Sequence, residues 1–348
     1  MKILIGDMDF LKTHLFFNYK IINILASEHD VVLASPKGFY DPLQLSSNIQ
    51  IVDIKFDYNQ TRGIRRRLEY FSLPNQYTNL CKNLQPDAVI FLTFNTNYFI
   101  LFRTVVKACP KCYLYHHNNV DKIRNSKYSR FLFNTYKNNV YHLVLEDFIR
   151  TTVVQSLHVD SDRVIVVPHP LQIMNVDQHL DKEYKCCCLS NSTNGDFIQD
   201  LIQGERNTHI LSTLKFRVIV KSKDYIFDDG YLTVKDFGHI PDELFQKYFM
   251  SSEIILAPFP NNFGNRVSGT LIEALSNNKI VIGTPFDLML DYQKKYPNVC
   301  YMVKDGKEFL RVIKDINHYE DAQQDFEKFS VEHSDTKVRS SINLALEL

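Results

Sequence analysis

Short apolar runs alternate with longer segments of helical periodicity along this chain, and the alternation occurs twice, which restricts the fold more than any other feature. The first series opens with Lys2 to Ile5, passes through Leu11, Leu15, Ile22 and Leu25 near helical spacing, and returns to an apolar run at His29 to Ala34. Such a run reads as a strand and recurrence every three or four residues as a helix, so the chain begins β-α-β. Further strands are predicted at Ile49 to Ile54, Ala88 to Phe94, Cys112 to His116, Tyr141 to Leu145 and Val164 to Val167. The polar segment Gln172 to Glu183 reads as a linker.

A second series follows, with strands predicted at Lys185 to Leu189, Phe216 to Val220, Leu232 to Phe237, Ile254 to Pro258, Ile280 to Ile282 and Val299 to Val303. Helices are predicted near Phe197 to Leu214, Asp242 to Ser251, Gly269 to Asn277 and Phe286 to Lys295. Strands alternating with helices build parallel sheets covered on both faces. The expected fold is therefore α/β, with two doubly wound Rossmann-like domains over residues 1–172 and 184–307. A charged tail, 308–348, carries Phe326, Phe329, Ile342 and Leu346 at helical spacing and should pack as helices over the domains. A length of 348 residues agrees, because one core rarely supports so long a chain. Open sheets of this kind bind ligands at the carboxyl ends of their strands, so a central cleft faced by both domains is the expected active site.

Forty basic and forty acidic residues balance, which excludes a general nucleic-acid binder and makes any anion site local. Seven cysteines, an odd number, make no disulfide framework and are predicted to be reduced and buried. Cys109-Pro-Lys-Cys112 has the spacing of a redox or zinc half-site, but no second pair accompanies it. No apolar run approaches the length of a membrane span, and Met1-Lys-Ile-Leu-Ile-Gly6 leads into Asp7 and Asp9, so a cytoplasmic protein is expected. The first βα turn, Gly6-Asp-Met-Asp-Phe10, lacks the glycine pattern that a dinucleotide pyrophosphate requires, which argues against an NAD enzyme.

The segment carrying the most chemistry is Asn262-Phe-Gly-Asn-Arg-Val-Ser-Gly-Thr-Leu-Ile-Glu-Ala-Leu275, a polar loop running into a helix between two predicted strands. First-turn amides of a helix have no intrahelical acceptor and sit at the positive end of its dipole, so Ser268, Gly269 and Thr270 can cradle phosphate oxygens. Arg266 can take two such oxygens at once, and Glu273, one turn on, can accept from ribose hydroxyls. Thr270-Leu-Ile-Glu273 also fits a capping box, in which the two side chains satisfy only the helix's own start.

The order of pieces in the second half resembles the GT-B glycosyltransferases, in particular the bacterial family 4 (group 1) enzymes. Asp236-Phe-Gly-His-Ile-Pro-Asp-Glu-Leu-Phe245, Ser252-Glu-Ile-Ile-Leu-Ala-Pro-Phe259, the loop-helix from Ser268 to Ala274 and Asn278-Lys-Ile-Val-Ile-Gly-Thr284 follow one another as in that family's donor domain. Arg163-Val-Ile-Val-Val-Pro-His-Pro-Leu171 looks like its last strand before the second domain, and His116 with Asn118 resembles its amino-domain histidine loop. The resemblance implies GT-B architecture and a hexosyltransferase-type enzyme that moves a sugar, with retention, from a nucleotide-diphosphate donor to a hydroxyl of a glycan or lipid-linked acceptor. Surface polysaccharide or glycoconjugate biosynthesis in a bacterium is the implied setting, and no metal cofactor is implied.

Two departures redistribute the expected contacts. Asn265 stands where many members carry the first of two glutamates, and Ser190-Asn-Ser-Thr-Asn-Gly195 replaces their basic loop. Arg266 and Lys221 are therefore expected to hold the pyrophosphate, with Ser268, Gly269, Thr270, Glu273, Gly238 and His239 completing the donor site. Arg266 also counts as catalytic; Asp7, Asp9, His116, His117 and Asn118 sit at predicted strand ends on the acceptor side, and of these Asp9 and His116 are taken as the candidates to deprotonate the acceptor. Arg62, Arg65, Arg66 and Arg67 cluster beside aliphatic and aromatic residues, a pattern that fits either a solvated helix face or contact with an anionic membrane at the inner face. A sugar-nucleotide epimerase of the same architecture and a noncatalytic sugar-nucleotide-binding protein are the competing functions.

Overall fold

The computed structural model describes residues 1–59, 63–174, 183–260, 262–315 and 322–348. The chain divides into two compact units, Met1–Pro170 with His333–Leu348, and Leu171–Glu332.

In the first unit, β1 (Lys2–Gly6), α1 (Leu15–Ala26), β2 (Asp30–Ser35), β3 (Gln50–Asp53), α2 (Ile64–Leu84) and β4 (Ala88–Phe91) are followed by α3 (Arg103–Ala108) and β5 (Cys112–His116). Then come α4 (Asn119–Asn125), α5 (Lys127–Asn134), β6 (Tyr141–Val144), α6 (Asp147–Gln155) and β7 (Val164–Val166). The strands form one parallel sheet of order β3-β2-β1-β4-β5-β6-β7. The order reverses between β1 and β4, so the loops after these strands diverge and leave a crevice at the sheet's carboxyl edge. Strands β4 and β5 are buried at every position, as a sheet covered on both faces requires.

The second unit repeats the plan with β8 (Cys186–Cys188), α7 (Gly195–Thr208), α8 (Ile210–Leu214), β9 (Val218–Lys221), β10 (Phe227–Asp228), β11 (Leu232–Lys235), α9 (Asp242–Ser251) and β12 (Ile254–Ala257). It continues with α10 (Gly269–Ser276), β13 (Ile280–Gly283), α11 (Asp287–Lys295), β14 (Cys300–Met302), α12 (Gly306–Asp315) and α13 (Ala322–Glu332). The sheet order is β10-β11-β9-β8-β12-β13-β14, with the reversal between β8 and β12. Only β10 is antiparallel among the described residues, paired to β11 across an Asp228-Asp229-Gly230 turn. Its two residues are too few to show a periodicity. The chain then returns to the first unit as α14 (Asp335–Glu347), where Lys111 Nζ and Tyr113 OH donate to the carbonyls of Leu346 and Ala345, at 2.8 Å each.

The helix predicted over Phe197 to Leu214 is broken at His209, whose φ of 50° is left-handed. Buried Glu205 turns this break to use by accepting from the amides of Leu211 and Ser212 at the start of α8, at 2.9 and 3.3 Å. All seven cysteines are buried and unpaired, and Cys186, Cys187 and Cys188 fill the central strand β8. The predicted linker begins in the second unit, where Gln172 N donates to Ser276 Oγ at 3.0 Å and Met174 N to Asn277 Oδ1 at 2.9 Å. Its residues 175–182 lie outside the described residues.

Helices α7 and α12 approach closely at Gly204 and Gly306. A Cβ on Gly306 would lie 2.2 Å from the backbone nitrogen of Leu201, and one on Gly204 would lie 2.8 Å from a methyl of Leu310. Backbone cannot rotate out of the way as a side chain can. Gly306→Ala should therefore destabilise the second unit by about 3 kcal/mol, at the upper end of overpacking costs. Equilibrium denaturation measures this, and an unchanged midpoint would refute the packing described.

Candidate functional site

At the carboxyl edge of the second sheet, three loops are fastened to one another around the reversal point. The loop after β8 reaches across to the end of β12, where Asn194 N donates to the carbonyl of Pro258 at 2.7 Å. The same Asn194 caps α7, its side chain accepting from the amides of Asp196 and Phe197. Lys221, the last residue of β9, donates through Nζ to Asn191 Oδ1 at 2.7 Å and to the carbonyl of Gly238 at 2.6 Å. The residue is buried, and desolvation, with some help from Lys223, lowers its pKa. An ammonium carries three protons, so one remains for a ligand. Lys221 thus brings positive charge against the loop whose own sequence, Ser190 to Gly195, contains none. Gly238 sits at φ 55° in a turn closed by Asp236 Oδ1, which accepts from Gly238 N at 2.7 Å, and His239 beyond it is exposed.

Across the reversal point, the loop after β12 holds Arg266 by an aromatic stack. Phe259 and Phe263 stack nearly parallel with centroids 4.3 Å apart, and the guanidinium sits 4.1 Å over the Phe263 ring. Arg266 Nε donates to the carbonyl of Phe263 at 2.6 Å, leaving both terminal nitrogens without a partner among the described residues. Asn265, by contrast, is 2 % exposed and its Nδ2 donates to Asp287 Oδ2 at 2.7 Å. Asn265 therefore fastens the loop to the start of α11.

Ser268 is the N-cap of α10, its Oγ accepting from Leu271 N. Thr270 is then the second residue inside the helix, and the capping box read on Thr270 and Glu273 does not form. This frees Glu273 from a purely local task. Its carboxyl has no hydrogen-bond or ionic partner among the described residues, and burial raises its pKa to about 7. Gly269 is exposed, and a Cβ there would meet no atom within 4 Å. The first-turn amides of Gly269 and Thr270 have no acceptor within the helix, and Arg266 precedes them in the same loop by three and four residues.

In the first unit, the loop after β1 is built on Asp7. This residue is 2 % exposed, and its Oδ1 accepts from the amides of Asp9 and Phe10 at 2.7 and 2.8 Å and from Thr93 Oγ1, while Oδ2 accepts from Asn18 at 3.0 Å. Burial pushes its pKa up to about 6, against the pull of these donors. The turn so formed presents Asp9 to two neighbouring cavities of about 160 and 520 Å³. Asp9 Oδ1 accepts from Tyr70 OH, and its carbonyl accepts from Arg66 at 2.6 Å.

Two sequence expectations are corrected here. His116 does not face either cavity: it is fully buried between Phe94 and Phe133. His142 Nε2 faces the carbonyl of Lys137 at 2.8 Å and must donate, so its Nδ1 accepts from His116 Nε2 at 2.8 Å. Burial keeps His116 neutral, with its pKa well below the usual value. The cavity wall is formed instead by His117, whose Nε2 donates to the carbonyl of Leu92 at 3.0 Å, with the His14 ring tilted against it at 4.2 Å. Arg66 is the second correction. It is buried, with its guanidinium 4.1 Å over Phe56 and 5.2 Å over Tyr70, and cannot reach a membrane. Arg65 and Arg67 are exposed, and Arg62 lies outside the described residues.

Among the described residues, no group of three or more His, Cys, Asp or Glu side chains is placed to hold a metal ion, and no helix is long and apolar enough to cross a membrane. No protein-family model matches the chain, and no curated protein matches it. Solved structures do. A glycosyltransferase from Rickettsia africae is 12% identical over 99% of this chain and 98% of its own, with a TM-score of 0.63. The UDP-GlcNAc 2-epimerase of Methanocaldococcus jannaschii is 12% identical over 100% and 99%, with a TM-score of 0.65. A UDP-forming α,α-trehalose-phosphate synthase from Burkholderia vietnamiensis is 6% identical over the whole of both chains, with a TM-score of 0.67. Identities this low speak to architecture alone, and the architecture agrees over the full length: the chain has the two-domain, Rossmann-like GT-B fold.

Proposed function

We propose that the protein is a glycosyltransferase that moves a sugar from a nucleoside diphosphate donor to a hydroxyl of a glycan or lipid-linked acceptor. The observation that carries this reading is one loop-helix that holds both the uncrowded first turn at Gly269 and Thr270 and the ring-stacked guanidinium of Arg266, which has no carboxylate partner among the described residues. Departure of a nucleoside diphosphate builds negative charge on phosphate oxygens. Donors already aimed at that charge stabilise it without reorganising, each contributing on the order of 3 kcal/mol. Lys221 supplies a second cation from β9, so this reading calls for no metal. Glu273 is assigned to the ribose hydroxyls and the exposed turn at Gly238 and His239 to the nucleoside. UDP is the first nucleotide to test, because two of the solved structures of this fold carry it in the description of their substrate or reaction.

On the acceptor side we assign the cavities at Asp9, lined also by His117 and Tyr70. The retaining course is the one in which a leaving phosphate oxygen takes the acceptor proton. An epimerase is the second reading, favoured by the Methanocaldococcus structure. Incubation with the sugar nucleotide alone separates the two, since an epimerase yields an isomer and a transferase does not. A bacterial, cytoplasmic enzyme of surface polysaccharide assembly remains part of the proposal.

The amide corner gives the first test. Gly269→Ala should leave stability nearly unchanged, because the new methyl meets nothing, yet weaken nucleoside diphosphate binding measured by calorimetry. Arg266→Ala should lower turnover about a hundredfold or more. Normal donor binding and turnover in both variants would defeat the assignment.

Glu273 gives a test by pH. Its pKa rises from 4.5 in the unfolded chain to about 7 in the fold, so folding favours the protonated form. Below pH 4.5 the group costs nothing. As pH rises through 7 the buried carboxylate accumulates a cost of about 3 kcal/mol. Glu273→Gln should therefore match the parent protein near pH 4.5 and exceed its stability at pH 8. Ribose hydroxyls donating to the carboxylate would lower its pKa, so nucleotide binding near pH 7 should release protons. Calorimetry in buffers of different ionisation enthalpy measures this, and proton uptake would contradict the ribose role.

Membrane contact is proposed through α2, where Ile64, Leu68 and Phe71 are 78, 62 and 57 % exposed on one face, flanked by Arg65 and Arg67. Apolar residues can enter the lipid boundary while the cations meet anionic headgroups. Sedimentation with anionic vesicles should fall at least tenfold for Leu68→Glu/Phe71→Glu. Equal sedimentation of variant and parent would remove the idea.

A further inference from the structure

We propose that the cavity at the amino-terminal edge of the first sheet is a second anion site, one that takes a small phosphorylated molecule with an apolar or ring-bearing body. The cavity has a volume of about 530 Å³, within the range of small-molecule sites, and lies where β5, β6 and β7 begin. The Asp9 cavities lie at the opposite, carboxyl edge of the same parallel sheet. A strand of five residues separates the two edges by about 16 Å, so one small ligand cannot fill both.

The charge of the wall is what selects the ligand. Arg103, Lys107, Lys111 and Arg163 line it, and no acidic residue does. In a chain whose formal charges cancel, this is a local excess of one sign. Lys111 is partly engaged, since its Nζ donates to the carbonyl of Leu346. Arg103, Lys107 and Arg163 have no carboxylate partner among the described residues. Arg163 is held instead over Tyr141, at 5.1 Å, and Tyr141 is itself stacked on Tyr113 at 5.0 Å. An arginine oriented by a ring keeps its charge available, which an ion pair would not. The same device holds Arg266 in the second unit. Arg103 and Lys107 lie one turn apart on α3 and present their charges to the same space. Asn138 and Asn139 add amide donors, and Val106 and Pro110 supply apolar wall for the body of the ligand.

Phenyl phosphate and inorganic phosphate are suitable probes for the full-length protein, followed by hydrogen exchange of peptides covering 99–111 and 135–141. Both should protect these peptides, with phenyl phosphate effective at lower concentration. Lys107→Glu should raise the concentration needed about tenfold and Arg103→Glu/Arg163→Glu about a hundredfold, corresponding to one and two lost charge-assisted bonds. Arg266→Ala should leave the response intact, which separates this site from the one proposed for the donor. Lys107 is exposed, so its variant tests the site even if the double variant fails to fold. Absence of protection in these peptides, or protection that Lys107→Glu leaves unaltered, would overturn the site. Equal potency of the two probes would overturn the apolar body.

Discussion

Parallel pairing is the constraint on which the candidate site depends. Every strand of the second sheet from β11 to β14 runs the same way, so all their carboxyl ends emerge on one edge. The chain builds outward from β8 in one direction and then resumes at β12 in the other. At that point the two flanking loops part, and the helices that follow them begin there, α7 with its first amides held by Asn194 and α10 with those of Gly269 and Thr270 left without an intrahelical acceptor. Chemistry that needs donors converging on an anion is therefore available before any side chain is chosen. The side chains then add charge. Lys221 comes from a strand end and Arg266 from a loop, and each is anchored by neutral groups, carbonyl, amide or ring, in place of a carboxylate.

That choice of anchor has an energetic logic. A cation paired with an acid has already spent much of its attraction, and a ligand must compete with the partner. A cation held by ring faces and carbonyls is less well neutralised, which costs stability in the free protein and is recovered when an anion arrives. The lowered pKa of Lys221 and the raised pKa of Glu273 are two signs of the same strain, each a charged form placed where water is scarce.

The central strands were legible because both faces of the sheets are covered there, so β4, β5, β12 and β13 are buried at every position. The same coverage hid which histidine mattered. Every residue of β5 from Cys112 to His116 is buried, so the pattern offers no alternation from which to judge where the strand stops and the cavity begins. His116 ends the strand inside the core and His117 opens the wall, a difference of one residue. Arg66 was misplaced for a related reason: three successive arginines must point to different sides of a helix, and sequence alone does not say which one meets Phe56 and Tyr70. At the start of α10 the sequence fitted a capping box on Thr270 and Glu273 as well as a phosphate loop. Only the coordinates decide that Ser268 is the cap and that Glu273 is left for another task. Asn265 was legible as a departure, but its bond to Asp287 joins segments 22 residues apart and left no local signal.

Two carboxylates two residues apart in the loop after β1 show how the fold divides labour, and they bear on the proposed proton path. Asp7 is spent on structure: its oxygens accept from two amides, a hydroxyl and an amide side chain, and it holds Phe10 at a left-handed φ of 46°. Asp9 is delivered to the cavity by that turn, but Tyr70 already donates to one of its oxygens. His117 offers Nδ1 in a ring whose burial beside His14 depresses its pKa well below the usual value, which makes it a weak base. The pKa of Asp7 is raised but its carboxyl is closed off by its four donors, and the pKa of His117 is lowered. In the proposed transfer a departing phosphate oxygen would then take the acceptor proton, and this shortage of base is the reason a retaining course is proposed.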